Sequence, residues 1–363
     1  MSLALAAPAA LSRLRGRAAR IVELVATPLV PADYVDLIDP LRSGADLRAR
    51  IVAVEPETAD AATLVLRPGR GWRGHTAGQY VRLGVDVNGV RQWRAYSVTS
   101  PADRCDGCLT VTVKAMPDGV VSNHLVRSVR PGTVIQLDQA AGDFVLPDLR
   151  PAKVLFVTAG SGITPVMGML RTSLDELEDV VVVHSAPTSA DVVFGAELRH
   201  LAEQGRLTLI ERHTDVDGKL GLDELATLVP DLAERQTWAC GPTGLLDALE
   251  RHWTALGVVE HLHTERFRAS IVTAGEGGSV TFSRTGLTLE ADGATPLLDA
   301  GEAAGVLMPS GCRMGICFGC VVPLRSGAVR DLRDGAVTTA AVGDGVLVQT
   351  CVSAAAGECD IEL

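Results

Sequence analysis

Four cysteines near the carboxyl end carry the sharpest chemical signal. Cys312-Arg-Met-Gly-Ile-Cys317-Phe-Gly-Cys320 is followed by Cys351, a C-x4-C-x2-C…C spacing. A two-iron cluster is bound by soft thiolates. A tight loop can wrap three of them around one side of the cluster while a distant strand supplies the fourth. Gly311, Gly315 and Gly319 suit such a loop, because backbone folded over an inorganic core needs small residues and positive φ. Zinc is the competing reading, but zinc sites favour two separated C-x2-C knuckles and this segment has one. The spacing predicts a [2Fe-2S] centre on Cys312, Cys317, Cys320 and Cys351.

Arg94-Ala-Tyr96-Ser97-Val98 is the second signal. A flavin needs a flat surface for its ring, polar groups at the ring edge and donors for its phosphates. On a strand, residues two apart share a face. Arg94 can take a phosphate bidentately, Tyr96 can lie against the ring or ribityl chain, and Ser97 can hydrogen-bond the ring edge. Gly119-Val-Val121-Ser122 then opens a helix, and a helix start is a natural phosphate site. Further on, Gly160-Ser161-Gly162-Ile163-Thr164-Pro165 follows an apolar strand and opens another helix. Pro165 replaces the third glycine of the usual dinucleotide fingerprint, yet close backbone approach to a pyrophosphate at a positive helix end still holds. Cys240-Gly241-Pro242 also ends a strand, where ligands collect in open parallel sheets.

The elements that must position these residues fall into two patterns. Residues 47–148 hold six short strands separated by turn residues such as Pro68-Gly69 and Pro131-Gly132, which points to an antiparallel barrel. After Pro151, apolar strands (Val154–Thr158, Val180–His184, Leu207–Ile210, Gln236–Cys240) alternate with helical stretches, which points to a parallel sheet with crossover helices. Residues 268–278 are small and glycine-rich and read as a linker. A hairpin (Val280–Phe282, Leu287–Leu289) and a helix from about Leu297 to Ala304 precede the cysteine loop.

Composition narrows the function classes. The chain has 363 residues, 47% hydrophobic and 21% charged, with a net charge of −11. That balance disfavours a nucleic-acid binder. No stretch has the roughly 18 consecutive apolar residues of a membrane span. Residues 1–12 are apolar and precede Arg13, Arg15, Arg17 and Arg20, the reverse of a secretory signal. An amphipathic helix from about Leu11 to Ala26 is expected there, either capping the first domain or lying on a membrane surface. Cys105-x2-Cys108 sits in a predicted turn rather than at a helix start, so a redox role is not expected. Cys359 reads as incidental, His261-x-His263 as structural, and there is no Ser/His/Asp set.

Arg-x-Tyr-Ser, Gly-x-Gly-x-x-Pro and Cys-Gly-Pro, in this order, resemble the ferredoxin–NADP reductase family over about residues 47–268. Residues 278–363 resemble a plant-type [2Fe-2S] ferredoxin; the local departure is Phe318, where that family more often has a small residue. The resemblance implies a multidomain α/β and all-β chain: N-terminal extension (1–46), antiparallel flavin-binding β-barrel (47–148), parallel-sheet NAD(P)H-binding α/β domain (149–268), linker (269–277) and β-grasp ferredoxin domain (278–363). It implies FAD, with FMN the alternative, on Arg94, Tyr96, Ser97 and Val98, with Gly119, Val121 and Ser122 near the phosphates. It places the nicotinamide dinucleotide on Gly160, Ser161, Gly162, Ile163, Thr164, Ser185, Gly241 and Pro242. Cys240 and Ser97 would lie at the reacting rings, and Phe267 would cover the flavin.

Relatives often follow His-Ser-Ala with an arginine that meets the 2′-phosphate of NADPH. Here the chain reads His184-Ser185-Ala186-Pro187-Thr188, so NADPH is expected with NADH open, and Arg199 or Arg212 is left to serve. Hydride from the nicotinamide would pass to the flavin and leave as single electrons through the cluster. The expected acceptor is an oxygenase or a membrane fatty-acyl desaturase, the residues before the barrel being similar to actinobacterial desaturase reductases. The alternatives are a reductase of a Rieske-type oxygenase or cytochrome P450, and a redox sensor. A cytoplasmic monomer with peripheral membrane contact completes the expectation.

Overall fold

The computed structural model describes residues 39–42, 46–87, 89–117, 119–267, 274, 276–311, 313–315 and 318–363. The expected N-terminal helix, most of the glycine-rich linker, Cys312 and Cys317 lie outside them.

The first sheet has six antiparallel strands: β1 (Arg48–Thr58), β2 (Ala61–Pro68), β3 (Tyr80–Val87), β4 (Val90–Ser97), β5 (Leu109–Lys114) and β6 (Val134–Leu137), in the order β4-β3-β6-β1-β2-β5. Its two edges meet through a bridge between Val98 and Val111, which closes the sheet into a barrel. Alternation sets the inside: Ala49 and Ile51 are buried while Arg50 and Val52 between them are exposed. Helix α1 (Val120–Arg127) closes the barrel with Val121 and Leu125.

The second sheet is parallel, in the order β11-β10-β7-β8-β9. Its strands are β7 (Lys153–Ala159), β8 (Asp179–Ala186), β9 (Thr208–His213), β10 (Gln236–Cys240) and β11 (Leu262–Glu265). Period-two geometry splits its side chains between two cores. Val154, Phe156, Val182 and Trp238 pack with Ile163, Met167 and Leu170 of α2 (Ile163–Ser173) and Leu198 of α3 (Gly195–Glu203). Leu155, Val157, Val183 and Ala239 pack on the other face with Leu225 of α4 (Leu222–Leu228) and Leu246, Leu249 and Trp253 of α5 (Thr243–Leu256). The sequence reading names four of these strands and lacks β11, which is only four residues long and carries His263 and Glu265 in place of an apolar run.

The third sheet runs β13-β12-β17-β14-β15, with β16 on β14. Its strands are β12 (Gly278–Phe282), β13 (Leu287–Ala291), β14 (Val321–Asp331), β15 (Val337–Ala340), β16 (Leu347–Gln349) and β17 (Ser353–Ile361). β12 and β17 are parallel and the remaining pairs antiparallel. Leu297 and Leu298 of α6 (Leu297–Ala303) cover one face in a core with Phe282, Leu324 and Ile361, the β-grasp arrangement.

Barrel and parallel sheet are joined through α2. A Cβ on Gly168 would lie 2.5 Å from the Val98 carbonyl oxygen, so helix backbone rests directly on the residue that follows β4. One turn on, Arg171 donates to the Thr99 carbonyl (2.8 Å), forks onto Glu197 (2.9 and 2.6 Å) and lies over the Phe194 ring (4.7 Å). Gly168→Ala should destabilise the holoprotein by about 1–3 kcal/mol, because the clash is with backbone that cannot yield. Gly244→Ala in α5, where a Cβ would meet nothing within 4 Å, should be neutral or mildly stabilising. Thermal melts of the two variants check the contrast.

Candidate functional site

β4 sets Arg94, Tyr96 and Ser97 on the end of the barrel nearest α2. Arg94 donates to the Trp93 carbonyl (2.8 Å) and to Gln92 Oε1 (3.2 Å), and makes no ion pair among the described residues. Burial, helped by the nearby charge of Arg313, lowers its pKa, while Glu302 and Asp299 oppose the shift. Burial pushes the Tyr96 phenol up, so it stays neutral at any working pH. Ser97 Oγ is buried with no hydrogen-bond partner among the described residues. An unpaired guanidinium and an orphaned buried hydroxyl on one strand fit a phosphate-bearing ring system, since such groups are costly unless a ligand satisfies them.

At α1 the geometry redistributes the expected roles. Ser122 Oγ donates to the Gly119 carbonyl (3.2 Å) and accepts from the Met116 N–H (3.1 Å), and the Val121 side chain is in the barrel core. Gly119 and Val121 therefore have main chain, not side chain, to offer a phosphate.

The glycine loop and the Cys-Gly-Pro turn stand side by side. β7 and β10 are parallel neighbours, with Thr158 opposite Cys240. A Cβ on Gly162 would lie 2.0 Å from the Cys240 carbonyl oxygen, so only glycine lets the loop seat against β10. The Ile163 and Thr164 side chains turn inward, and Thr164 Oγ1 donates to the Ser161 carbonyl (2.9 Å). Gly160 and Ser161 are the part-exposed residues of this motif, Gly162 to Thr164 being buried. Pro242 caps the start of α5. Ser185, at the end of β8, is buried with an unpartnered Oγ. Beside it His184 bonds Thr158 Oγ1 (2.8 Å), and burial lowers its pKa to about 4, so it is a neutral bracket between β7 and β8.

One residue of this edge was not singled out by sequence reasoning. Glu265 ends β11 directly opposite Cys240. Burial raises its carboxyl to about 8, and its Oε2 has no partner among the described residues. Burial also raises the Cys240 thiol, and the Glu265 charge adds to that. The available signal was an acid at the carboxyl end of a strand, two residues before Phe267. Phe267 itself is 37% exposed, and Arg266 between them is tied to Asp247 and Glu250 (2.8 Å each).

Of the four cysteines, the structure describes two. Cys320 and Cys351 are buried with sulfurs 3.2 Å apart and are not disulfide-bonded. Thr350 donates from N–H (3.2 Å) and Oγ1 (3.0 Å) to the Cys320 carbonyl. Arg333 (3.2 Å) and Gln349 (2.9 Å) both donate to the Gly315 carbonyl, which ties the loop to the Cys351 segment. Two adjacent buried thiols beneath a pinned loop fit half of a four-thiolate cluster. Cys105 and Cys108 are free in their turn, and Cys359 is buried in β17 with its thiol pushed up to about 11.

Comparison with known proteins agrees with this geometry. Residues 50–146 match the oxidoreductase FAD-binding domain, 156–251 the oxidoreductase NAD-binding domain and 280–356 the 2Fe-2S iron-sulfur cluster binding domain. An NADPH oxidoreductase of Mycobacterium tuberculosis is 51% identical over 351 residues, covering 95% of this chain and 91% of that protein. The chain belongs to the ferredoxin-reductase family of flavin and iron–sulfur oxidoreductases. A glycine betaine monooxygenase reductase subunit of Pseudomonas aeruginosa is 29% identical over 76% of this chain and 83% of its own length. Phthalate dioxygenase reductase shares the fold, with a TM-score of 0.63 over 88% of this chain and 98% of that one at 23% identity. This reductase takes electrons from NAD(P)H through FAD to a [2Fe-2S] centre. Among its described residues no helix is long and apolar enough to cross a membrane.

The raised Glu265 carboxyl makes a pH prediction. The folded state holds a proton that the unfolded state releases above the ordinary carboxyl pKa of 4.5. This group's contribution to stability therefore falls as pH rises from about 4.5 to about 8. Glu265→Gln removes that contribution, so its melting temperature should fall less steeply than that of the parent protein between pH 5 and 8. Parallel slopes would mean that Glu265 ionises normally.

Proposed function

We propose that the reductase draws on NADPH and delivers single electrons to a separate oxygenase or fatty-acyl desaturase. The observation that carries the reading is the path of α2. Its amino end abuts Cys240, and its Gly168 rests on the Val98 carbonyl. Nucleotide loop and flavin strand are thus held by one rigid rod. When bound, the flavin supplies the exchange between two-electron and one-electron transfer. Arg94 would hold phosphate, Tyr96 the ring face, and Ser97 with Val98 the ring edge. Gly119, Val121 and Ser122 would support the flavin phosphates, the first two through main chain. Gly160 to Thr164, Ser185, Gly241 and Pro242 would seat the dinucleotide, with Cys240 at the nicotinamide and Phe267 covering the flavin. Glu265, its carboxyl raised to about 8, keeps its proton at neutral pH and so puts no anion beside the neutral Cys240 thiol. Cys312, Cys317, Cys320 and Cys351 would bind the cluster.

For the choice of NADPH, Arg199 supports the reading. It reaches the loop after β8, donating to Ser189 Oγ (2.8 Å) and the Ser189 carbonyl (3.2 Å), and pairs with Glu211 (2.8 Å). Arg212 is drawn into its own loop by Glu224 and the Gly218 carbonyl. The relative at 51% identity is named an NADPH oxidoreductase. Arg199→Ala should raise KM for NADPH about tenfold and leave KM for NADH within about twofold. An equal change for both nucleotides would remove Arg199 from the phosphate site.

Cys320→Ser should abolish cytochrome c reduction and spare ferricyanide reduction by the flavin; loss of both would mean that electrons do not leave by this route. A redox sensor would turn over little cytochrome c even with all four cysteines. A soluble Rieske-type or P450 acceptor is the second reading, favoured by the glycine betaine monooxygenase reductase relative. Membrane co-sedimentation that is lost on deleting residues 1–26 would separate a desaturase partner from it.

A further inference from the structure

Among its described residues, the cysteine loop holds two non-glycine residues with left-handed backbone, Arg313 (φ +61°) and Phe318 (φ +55°). Backbone in that region is unfavourable for any residue with a Cβ and worst for bulky ones. Strain of this kind persists where the surroundings enforce it and the side chain has a use. The two side chains have different surroundings. Arg313 is only 21% exposed, pairs with Asp299 (2.8 Å) and Glu302 of α6, and lies within electrostatic range of Arg94 on the flavin barrel. That side of the loop addresses the flavin. Phe318 sits two residues before Cys320, in the turn that enters β14, where its carbonyl accepts from the Val321 N–H (3.3 Å). Its ring is 67% exposed, although glycine would fit the turn without strain.

Charge states what kind of surface would cover it. Residues 278–363 contain no lysine and five arginines against ten acids. All five arginines are ion-paired: Arg284 with Glu362, Arg313 with Asp299 and Glu302, Arg325 with Asp360, Arg330 with Glu276, and Arg333 with Asp331. The charge left for a partner is negative. A second copy of this module would bring like charge to like, so self-association through this face is disfavoured.

The geometry points to Phe318 as the apolar anchor on which a separate electron-accepting protein docks, through an apolar socket rimmed by basic side chains. Electrons then enter the module on the Arg313 side and leave on the Phe318 side. This rests on the reductase reading above and deepens it by naming the exit surface.

The test uses the oxidised full-length holoprotein, without nucleotide, and ferric cytochrome c as a basic acceptor probe. Calorimetric titration at low ionic strength should show Phe318→Ala weakening binding roughly tenfold, the usual scale for an aromatic anchor. Phe318→Gly relieves the backbone while removing the ring. It should keep the iron–sulfur absorption and its thermal stability and weaken binding by a similar factor. NADPH-driven bleaching of the cluster should be unchanged in both. Binding within twofold of the parent protein in the Phe318→Gly variant overturns the proposal, as does slowed cluster bleaching, which would place Phe318 on the flavin side. Failure of the parent protein to reduce cytochrome c at all would instead count against the reductase reading.

Discussion

The contact between α2 and the segment after β4 is the constraint on which the rest depends. Two groups that exchange a hydride must be held at van der Waals distance, and here they are carried by different sheets. The chain meets this with one helix whose amino end continues the glycine loop against Cys240 and whose middle touches Val98, the residue after β4. Gly168 permits the backbone approach, and Arg171 fixes its angle by reaching the Thr99 carbonyl while Glu197 and Phe194 hold the guanidinium. Domain closure thus combines this close backbone contact with an apolar cluster in which Ala77, Phe144 and Leu146 of the barrel side join Phe156, Ile163 and Met169.

Four titratable side chains near the two binding motifs are held neutral. Tyr96, His184, Cys240 and Glu265 are all shifted by burial toward their neutral forms. Arg94 is the cation at this end of β4, and its hydrogen bonds go to neutral oxygens of its own strand. The fixed charges within electrostatic range of Arg94 are those of Arg313, Glu302 and Asp299 on the neighbouring sheet's side.

Local motifs were legible because their chemistry is local. Arg-x-Tyr-Ser lies on a strand, the glycine loop joins a strand to a helix, and the cysteine spacing belongs to one loop and one later residue. β10 even keeps the bounds that the apolar run suggests, Gln236–Cys240. What sequence could not show is which atoms of a motif face outward. Val121, Ile163 and Thr164 read as binding residues, yet their side chains serve the cores. Glu265 escaped because β11 is short and polar, and its meaning comes only from lying opposite Cys240. Arg199 could not be placed because ten residues of sequence separate it from Ser189, the group it touches.

The parallel pairing of β12 with β17 has a consequence for how the molecule is made. β17 is the middle strand of its sheet, flanked by β12 and β14, and it follows all the other described strands along the chain. Barrel and parallel sheet are complete once residue 265 has emerged, and domains generally fold as units, the amino-terminal ones first. The third sheet stays open until residues 353–361 are available, and Cys351 cannot take its place before then. The third sheet is therefore closed by the strand made after those of the other two domains, and the Cys351 segment is set in place only with it.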